Sequence, residues 1–292
     1  MNSLKFAKKF ALPLFVALAY GPAQALAAPI LGADLDSFAV FGTAGVSTDP
    51  TSTITRGDVG TVTANAITGT YNLLSGSQKQ LITSSALRAF DDLGPVPGTP
   101  GIGSLPDSQT AWGTIGLSTD TTSIQNIKGT YIAGVYNFGA GFLNSGDKIT
   151  LDAQNTSNAV WTFRFSTTLT ANQGSLFEMI NVAGDGSGLG LYWSTGTSAT
   201  LNADKWAGNV LAKTTITSDG GLTMTCGRLL AGTAVTLIGD SISTACAGFN
   251  SNGFDQMAAP VPEPETYAML LAGLGLMGFV ARRRQRNLAA AA

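Results

Sequence analysis

The chain has 292 residues, with 36 glycines, 44% hydrophobic and only 12% charged residues. This balance suits one or two compact domains with filled interiors and argues against disorder driven by charge. There is no histidine, so the commonest general base and metal ligand are missing; most hydrolase and zinc chemistry is disfavoured, while enzymes built on carboxylates stay open.

The N-terminus, "MNSLKFAKKFALPLFVALAYGPAQALAAP", sets Lys5, Lys8 and Lys9 ahead of an apolar run from Phe10 to Tyr20 and small residues ending in Ala25-Leu26-Ala27. That order predicts a secretory signal peptide over residues 1–27, cleaved before Ala28. The apolar run is too short to span a bilayer.

From Ala28 onward the chain reads as short strands divided by Gly, Asn and Asp turns. Candidates are "SFAVFG", "STITRG", "KITLDAQ", "AVWTFRF", "TTLTAN", "LYWST", "SATLNA", "NVLAKTTITS" and "LLAGTAVTL", rich in threonine, valine and aromatics as half-buried strands require. One segment departs from that pattern. In "SQKQLITSSALRAFDDL" apolar residues recur at helical spacing, which predicts an amphipathic helix over about 77–93 that ends at the Pro/Gly stretch "GPVPGTPGIG".

An internal repeat runs through the second half. Aligned on their apolar residues, the strands place Thr170, Thr200, Thr217 and Thr236 in equivalent positions, with gaps of 30, 17 and 19. Irregular gaps near twenty point to coils of a β-solenoid, with hairpins of a sandwich as the alternative. Cys226 and Cys246 are the only cysteines, 20 residues apart. In an exported chain that is one coil, and stacked coils stand at roughly 4.8 Å, within reach of a disulfide that would clasp the last coil; two free buried thiols are the alternative.

Alternation assigns faces. In "TAVTL" Val235 and Leu237 point inward, so Ala234 and Thr236 point outward. The same rule exposes Thr215 and Thr217 in "TTITS", Ser198 and Thr200 in "TSATLN", Thr168 and Thr170 in "TTLTA", Thr150 in "DKITLD", and Thr53 and Thr55 in "STITRG". Stacked coils would then present two files of small Thr, Ser or Ala side chains on one flat face. Lysines such as Lys205 and Lys213 fall beside the files, with Lys148 the intruder. A solvated sheet collects threonine through its strand preference alone, but it normally carries Lys and Glu as well.

The segments "SFAVFGTAGVSTD", "ITRGDVGT", "KGTYIAGVYNF", "LDAQNTSNAVWTFRFSTTLT", "GLYWSTGTSATL" and "GRLLAGTAVTL" resemble, in content and order, the secreted microbial ice-binding (antifreeze) protein family, over about residues 30–247. The resemblance implies an all-β fold with one long helix: an irregular right-handed β-helix, or solenoid, of triangular section with the helix packed along its side. It also implies N-terminal strands that join the stack between or beside C-terminal ones. Extra residues at about 70–80 and 97–125 would be loops or a cap over the exposed end of the stack.

At the C-terminus "VPEPETYAMLLAGLGLMGFVARRRQRN" places Pro262, Glu263 and Pro264 before an apolar segment from Tyr267 to Ala281, followed by Arg282, Arg283, Arg284 and Arg286. A plain membrane anchor held by arginines would satisfy the pattern. Its full order resembles the PEP-CTERM sorting signal of Gram-negative bacteria. That resemblance implies transient membrane association, processing by an exosortase, and a secreted or cell-surface location. The expected organisation is therefore a signal peptide over 1–27, a β-helix domain over 28–250, a linker over 251–260, the sorting segment over 261–287 and a tail over 288–292.

Between Ala28 and Pro264 nine basic and 17 acidic residues remain, a net charge of −8, which disfavours nucleic acid and anionic lipid as partners. The expected function is adsorption to ice by a monomer that needs no cofactor and no metal and is not an enzyme. A surface adhesin or matrix protein that binds exopolysaccharide is the rival reading. A polysaccharide-cleaving enzyme would need grouped acids and bases in a groove, whereas Asp152, Asp185, Asp204 and Asp219 fall in turns.

Overall fold

The computed structural model describes residues 30–32, 34–79, 93, 111–246 and 253–255. The chain divides into one unit over Ala28–Ala258 and a second made of its two ends, Met1–Ala27 and Ala259–Ala292. All the described residues belong to the first unit.

Strands of two to nine residues alternate with tight turns and assemble into three sheets, of eleven, eight and three strands. Every ladder among the described residues is parallel. Parallel pairing follows from the route of the chain, which passes from sheet to sheet and returns to each one a coil later. One such coil runs through Gly190–Thr195, Ala199–Leu201 and on to Trp206–Ala212, which pairs back onto Gly190–Thr195 with Trp193 beside Val210.

Chain order and stacking order differ. Val40 pairs with Leu229, Val46 with Val235 and Thr53 with Ser241, so the N-terminal strands continue the stack beyond the C-terminal coil. Residues 70–80, expected as an insertion, supply Asn72–Leu73 and Gln78–Lys79, which pair with Thr53–Arg56 and Asp58–Gly60 as the next coil. Cys226 and Cys246 form a disulfide with their Cα atoms 4.5 Å apart. The coil it clasps is last in the sequence but has N-terminal strands stacked on it, so the bridge does not guard a fraying end.

Inside the stack, ladder register piles aromatic rings on one another. Tyr136, Phe163 and Trp193 are ladder partners, and Trp193 continues to Trp206, with centroid distances of 5.2, 4.3 and 4.7 Å. Such contacts contribute roughly 0.5–1.5 kcal/mol each beyond burial. Phe138 and Phe165 stack beside this pile (5.3 Å), and Gly141 makes room for that pair, because a Cβ there would stand 2.2 Å from the Phe165 ring.

The central strands of the eleven-stranded sheet, Phe38–Gly42, Gly190–Thr195 and Trp206–Ala212 among them, are buried on both sides. Their outward residues Phe38, Phe41, Tyr192, Leu211 and Leu230 form a second core with Leu31, Leu35, Leu93, Ala111 and Ile115. A short helix at Ala111–Ile115 supplies two of these. The helix expected over 77–93 does not begin at Ser77, since Gln78–Lys79 is strand. Leu93 is helical and buried, and the remainder of that expected helix lies outside the described residues, as do residues 97–110. Edge pairing at Gln78 and Lys79 overrides the helical periodicity read from their neighbours.

Arg228, fully buried on the same sheet, ties the domain's ends together. Its guanidinium forms an ion pair with Asp36, donates to the Asp36 carbonyl (2.7 and 3.0 Å) and to Asn209 Oδ1 (2.9 Å). Nearby Asp255 accepts from the Tyr192 hydroxyl (2.7 Å) and from the Leu31 amide (3.3 Å), and Asn209 Nδ2 donates to the Phe254 carbonyl (3.1 Å).

Candidate functional site

The eight-stranded sheet runs, in stacking order, through Ile67–Thr68, Gly45–Thr48, Ala234–Leu237, Thr215–Thr217, Ala199–Leu201, Leu169–Ala171, Ala140–Leu143 and Ile124–Asn126. Its inner residues Val46, Val235, Ile216, Ala199, Leu169 and their successors are buried. Period two therefore turns the intervening small residues outward, and these are half-buried or exposed.

Ladder register aligns those outward residues. Thr170 pairs with Thr200, Thr200 with Thr217, Thr217 with Thr236, Thr236 with Ser47 and Ser47 with Thr68. A second file holds Thr215, Ala234 and Gly45 as ladder partners. Thr168 and Ser198 continue it through their carbonyls, which accept from Gly141 (2.9 Å) and Leu169 (3.2 Å). Rungs stand about 4.8 Å apart and alternate residues of one strand about 7 Å apart, so the hydroxyls and methyls form a two-dimensional array. The Thr200 and Thr217 hydroxyl oxygens lie 3.4 Å apart.

A third file follows the turn that enters each strand. Thr197 donates its amide to the Thr167 carbonyl (2.9 Å), Thr214 to Thr197 (2.8 Å), Thr233 to Thr214 (2.7 Å) and Ala44 to Thr233 (2.7 Å). All five side chains are exposed. Sequence reasoning missed Thr167, Thr197, Thr214 and Thr233 because it assigned faces only within strands. The recurrence of a threonine three residues before Thr170, Thr200, Thr217 and Thr236 was the available signal. Ser47 and Thr68 were also missed, although Val46 and Ile67 carry the same alternation.

Three of the expected residues stand elsewhere. Thr150 belongs to Lys148–Thr156 in the three-stranded sheet, is only 9% exposed, and lies beside the Lys148–Glu178 ion pair (2.7 Å). Thr53 pairs with Ser241 and Asn72, which puts Thr53 and Thr55 in the eleven-stranded network. Alternation decides inside from outside in any strand; it carries no information on which sheet receives the strand.

No Asp, Glu, Lys or Arg occupies the three files. Lys213 lies one residue before Thr214 at their border. Several carboxylates are held in turns instead, while Asp58, Asp152 and Glu178 lie on strands of the other two sheets. Asp49 accepts from Thr51, Gly239 and Ser52, and these bonds hold it well below the usual carboxylate range. The Ser123 hydroxyl, with the Thr122 and Ser123 amides, brings Asp120 to about 2. Burial raises Asp240 despite donors from Ser218, Leu222 and Ile238. Among the described residues no three His, Cys, Asp or Glu side chains group as metal ligands. Nor is any described helix long and apolar enough to cross a membrane; the segment from Tyr267 to Ala281 lies outside the described residues.

Residues 260–284 match the PEP-CTERM protein-sorting motif, which indicates export to a secreted or cell-surface location. An ice-binding protein of Nostoc sp. (strain HG1) is 35% identical over 161 residues, 54% of this chain and 56% of that protein; the chain thus spans about half the length of this curated relative. Two crystal structures are similar. The ice-binding protein of the Antarctic ascomycete Antarctomyces psychrotrophicus aligns at TM-score 0.58 with 27% identity, over 74% of this chain and 98% of that one. An ice-binding protein from an Antarctic biological consortium aligns at 0.57 with 24% identity, over 75% and 92%, a likeness of fold. The family model described as ice-binding-like matches residues 40–243, more than half of the chain, and the chain belongs to that family.

Proposed function

We propose that this protein adsorbs to ice through the outer face of its eight-stranded sheet and thereby hinders ice growth and recrystallisation. The observation that carries the reading is the register of Thr170, Thr200, Thr217, Thr236, Ser47 and Thr68 across successive rungs in a member of the ice-binding-like family. Each hydroxyl or methyl contact with a water lattice is weak. Their sum is effective because parallel ladders hold the groups in place before binding, so little ordering cost remains. The contributing residues are Thr168, Thr170, Ser198, Thr200, Thr215, Thr217, Ala234 and Thr236, joined by Ser47, Thr68 and the turn threonines Thr167, Thr197, Thr214 and Thr233.

The same reading includes the finer architecture, a right-handed β-helix of triangular section flanked by a long helix, and a monomer that works without a cofactor and without catalysis. It includes removal of residues 1–27 on export, a domain that extends past the expected boundary at residue 250 to hold Gly253–Asp255, and exosortase processing in a Gram-negative cell within the sorting segment around Pro262, Glu263 and Pro264. Thermal hysteresis and recrystallisation assays on the purified chain test the function. Replacing Thr200 or Thr217 by Tyr should abolish both effects while the circular dichroism spectrum and melting stay unchanged. Full activity in both variants would sink this assignment of the face. A wild-type chain that leaves ice untouched but is retained on exopolysaccharide would favour the adhesin reading, which the sorting motif also supports.

A further inference from the structure

The outer face of the eight-stranded sheet changes character at one rung. In Ala140–Leu143, Phe142 is the ladder partner of Thr170, and so occupies the position that carries Thr or Ser on the next six rungs. Its ring points away from the core. Leu143 is buried and Gly141 faces the Phe165 ring, so alternation turns Phe142 outward, where it is half-exposed. The rung beyond continues the change, with Asn126 as the partner of Phe142 and Ile124, 75% exposed, as the partner of Ala140. Asn126 is engaged in local structure: its amide donates to Asp147 (2.7 Å) and its carbonyl accepts from the Lys128 amide (3.0 Å).

We propose that Phe142 sets the boundary of the ice-contacting surface, confining contact to the rungs from Leu169–Ala171 to Ile67–Thr68. This rests on the ice-binding reading above. An aromatic ring reaches several bonds farther from the backbone than a threonine methyl or hydroxyl. A planar lattice resting on Thr170, Thr200 and Thr217 therefore meets the ring before it can settle on the Ala140–Leu143 rung. The backbone of that rung is otherwise suitable. Its ladder with Leu169–Ala171 is unbroken, the Thr167 amide donates to the Gly139 carbonyl (2.9 Å), and Ala140 offers the small side chain found at Ala234. The limit on the surface is thus one side chain rather than the end of the fold.

The test is Phe142→Thr in the purified full-length chain, read by thermal hysteresis at equal concentration. A seventh rung added to six should raise it by about 1.2-fold or more, since adsorption grows with the number of simultaneous contacts. Unchanged or reduced hysteresis with an intact melting transition overturns the proposal. Ala140→Tyr gives an independent reading. It should be silent in the wild-type background and should lower hysteresis in the Phe142→Thr background. A loss in the wild type as large as that of Thr200→Tyr would place this rung inside the surface and overturn the proposal, whatever the folding of Phe142→Thr. A wild-type chain without ice activity refutes the ice reading itself, a result distinct from either of these.

Discussion

Within a single coil, the outward residues of two sheets meet opposite fates. On Trp206–Ala212, Leu211 points away from the interior yet is fully buried, packed with Leu230, Phe41 and the residues that cover the sheet. On Thr215–Thr217, a few residues later, the outward Thr215 and Thr217 stay half-exposed. The contrast teaches where selection for stability ends and a surface task begins. A covered face is written in Leu, Phe and Tyr, whereas the open face is written in uncharged side chains too small to bury much area.

Breaking the covered side should cost the most. Arg228→Ala removes the cation that links Asp36, Asn209 and the Gly253–Asp255 segment, and takes a donor away from both Asp36 and Asn209. We expect a loss of about 3–5 kcal/mol in chemical denaturation. Leu230→Ala on the same face should cost about 2–5 kcal/mol, against a change within about 0.5 kcal/mol for Thr217→Ala on the open face. Equal losses for these two would mean that both faces are structural. Cys246→Ser opens a loop of 20 residues and should cost about 3 kcal/mol, with ice activity per folded molecule retained because neither cysteine lies on the eight-stranded sheet.

The smallest expected effect is the pH dependence that one carboxyl contributes on the covered side. Burial first, and then the nearby Asp36 charge, raise Asp255 to about 6, although Arg228 and Tyr192 pull it back. A carboxyl whose folded pKa lies above its unfolded one stabilises fully below the unfolded value, near 3.8, and loses that contribution as pH rises through about 6. Melting curves of the wild type and Asp255→Asn, compared from pH 7 to pH 4, should therefore show the wild type gaining on the variant as pH falls. The turn carboxylates Asp49 and Asp120 have lowered values, so their stabilisation is present above the ordinary carboxylate range and lost as pH falls. They act equally in both proteins and cancel in the difference. A pH-independent difference would show that Asp255 is not held in this way.

Most strands of the second half were legible because their buried and open positions alternate cleanly, and the turn residues between them are Gly, Asn and Asp. "NVLAKTTITS" and "LLAGTAVTL" each read as one continuous strand, yet each is broken at the turn that carries Thr214 or Thr233. Those turn residues consequently escaped notice. Gly45–Thr48 and Ile67–Thr68 lie outside the second half, where the repeat was aligned, although they extend the threonine file by two rungs.

Composition, the C-terminal sorting motif, the repeat and the inward or outward sense of each strand are local properties, and the order of residues alone settles them. Which strands share a sheet is different, because it depends on where the chain returns after a full coil. Only the folded stack sends Thr53 and Thr55 to one sheet, Thr150 to another and Ser47 to the threonine file, and only it sets Phe142 beside Thr170. The physical reason is that a ladder hydrogen bond joins residues by register across coils of unequal length, which the sequence shows only where the apolar repeat is clear, as from Thr170 to Thr236.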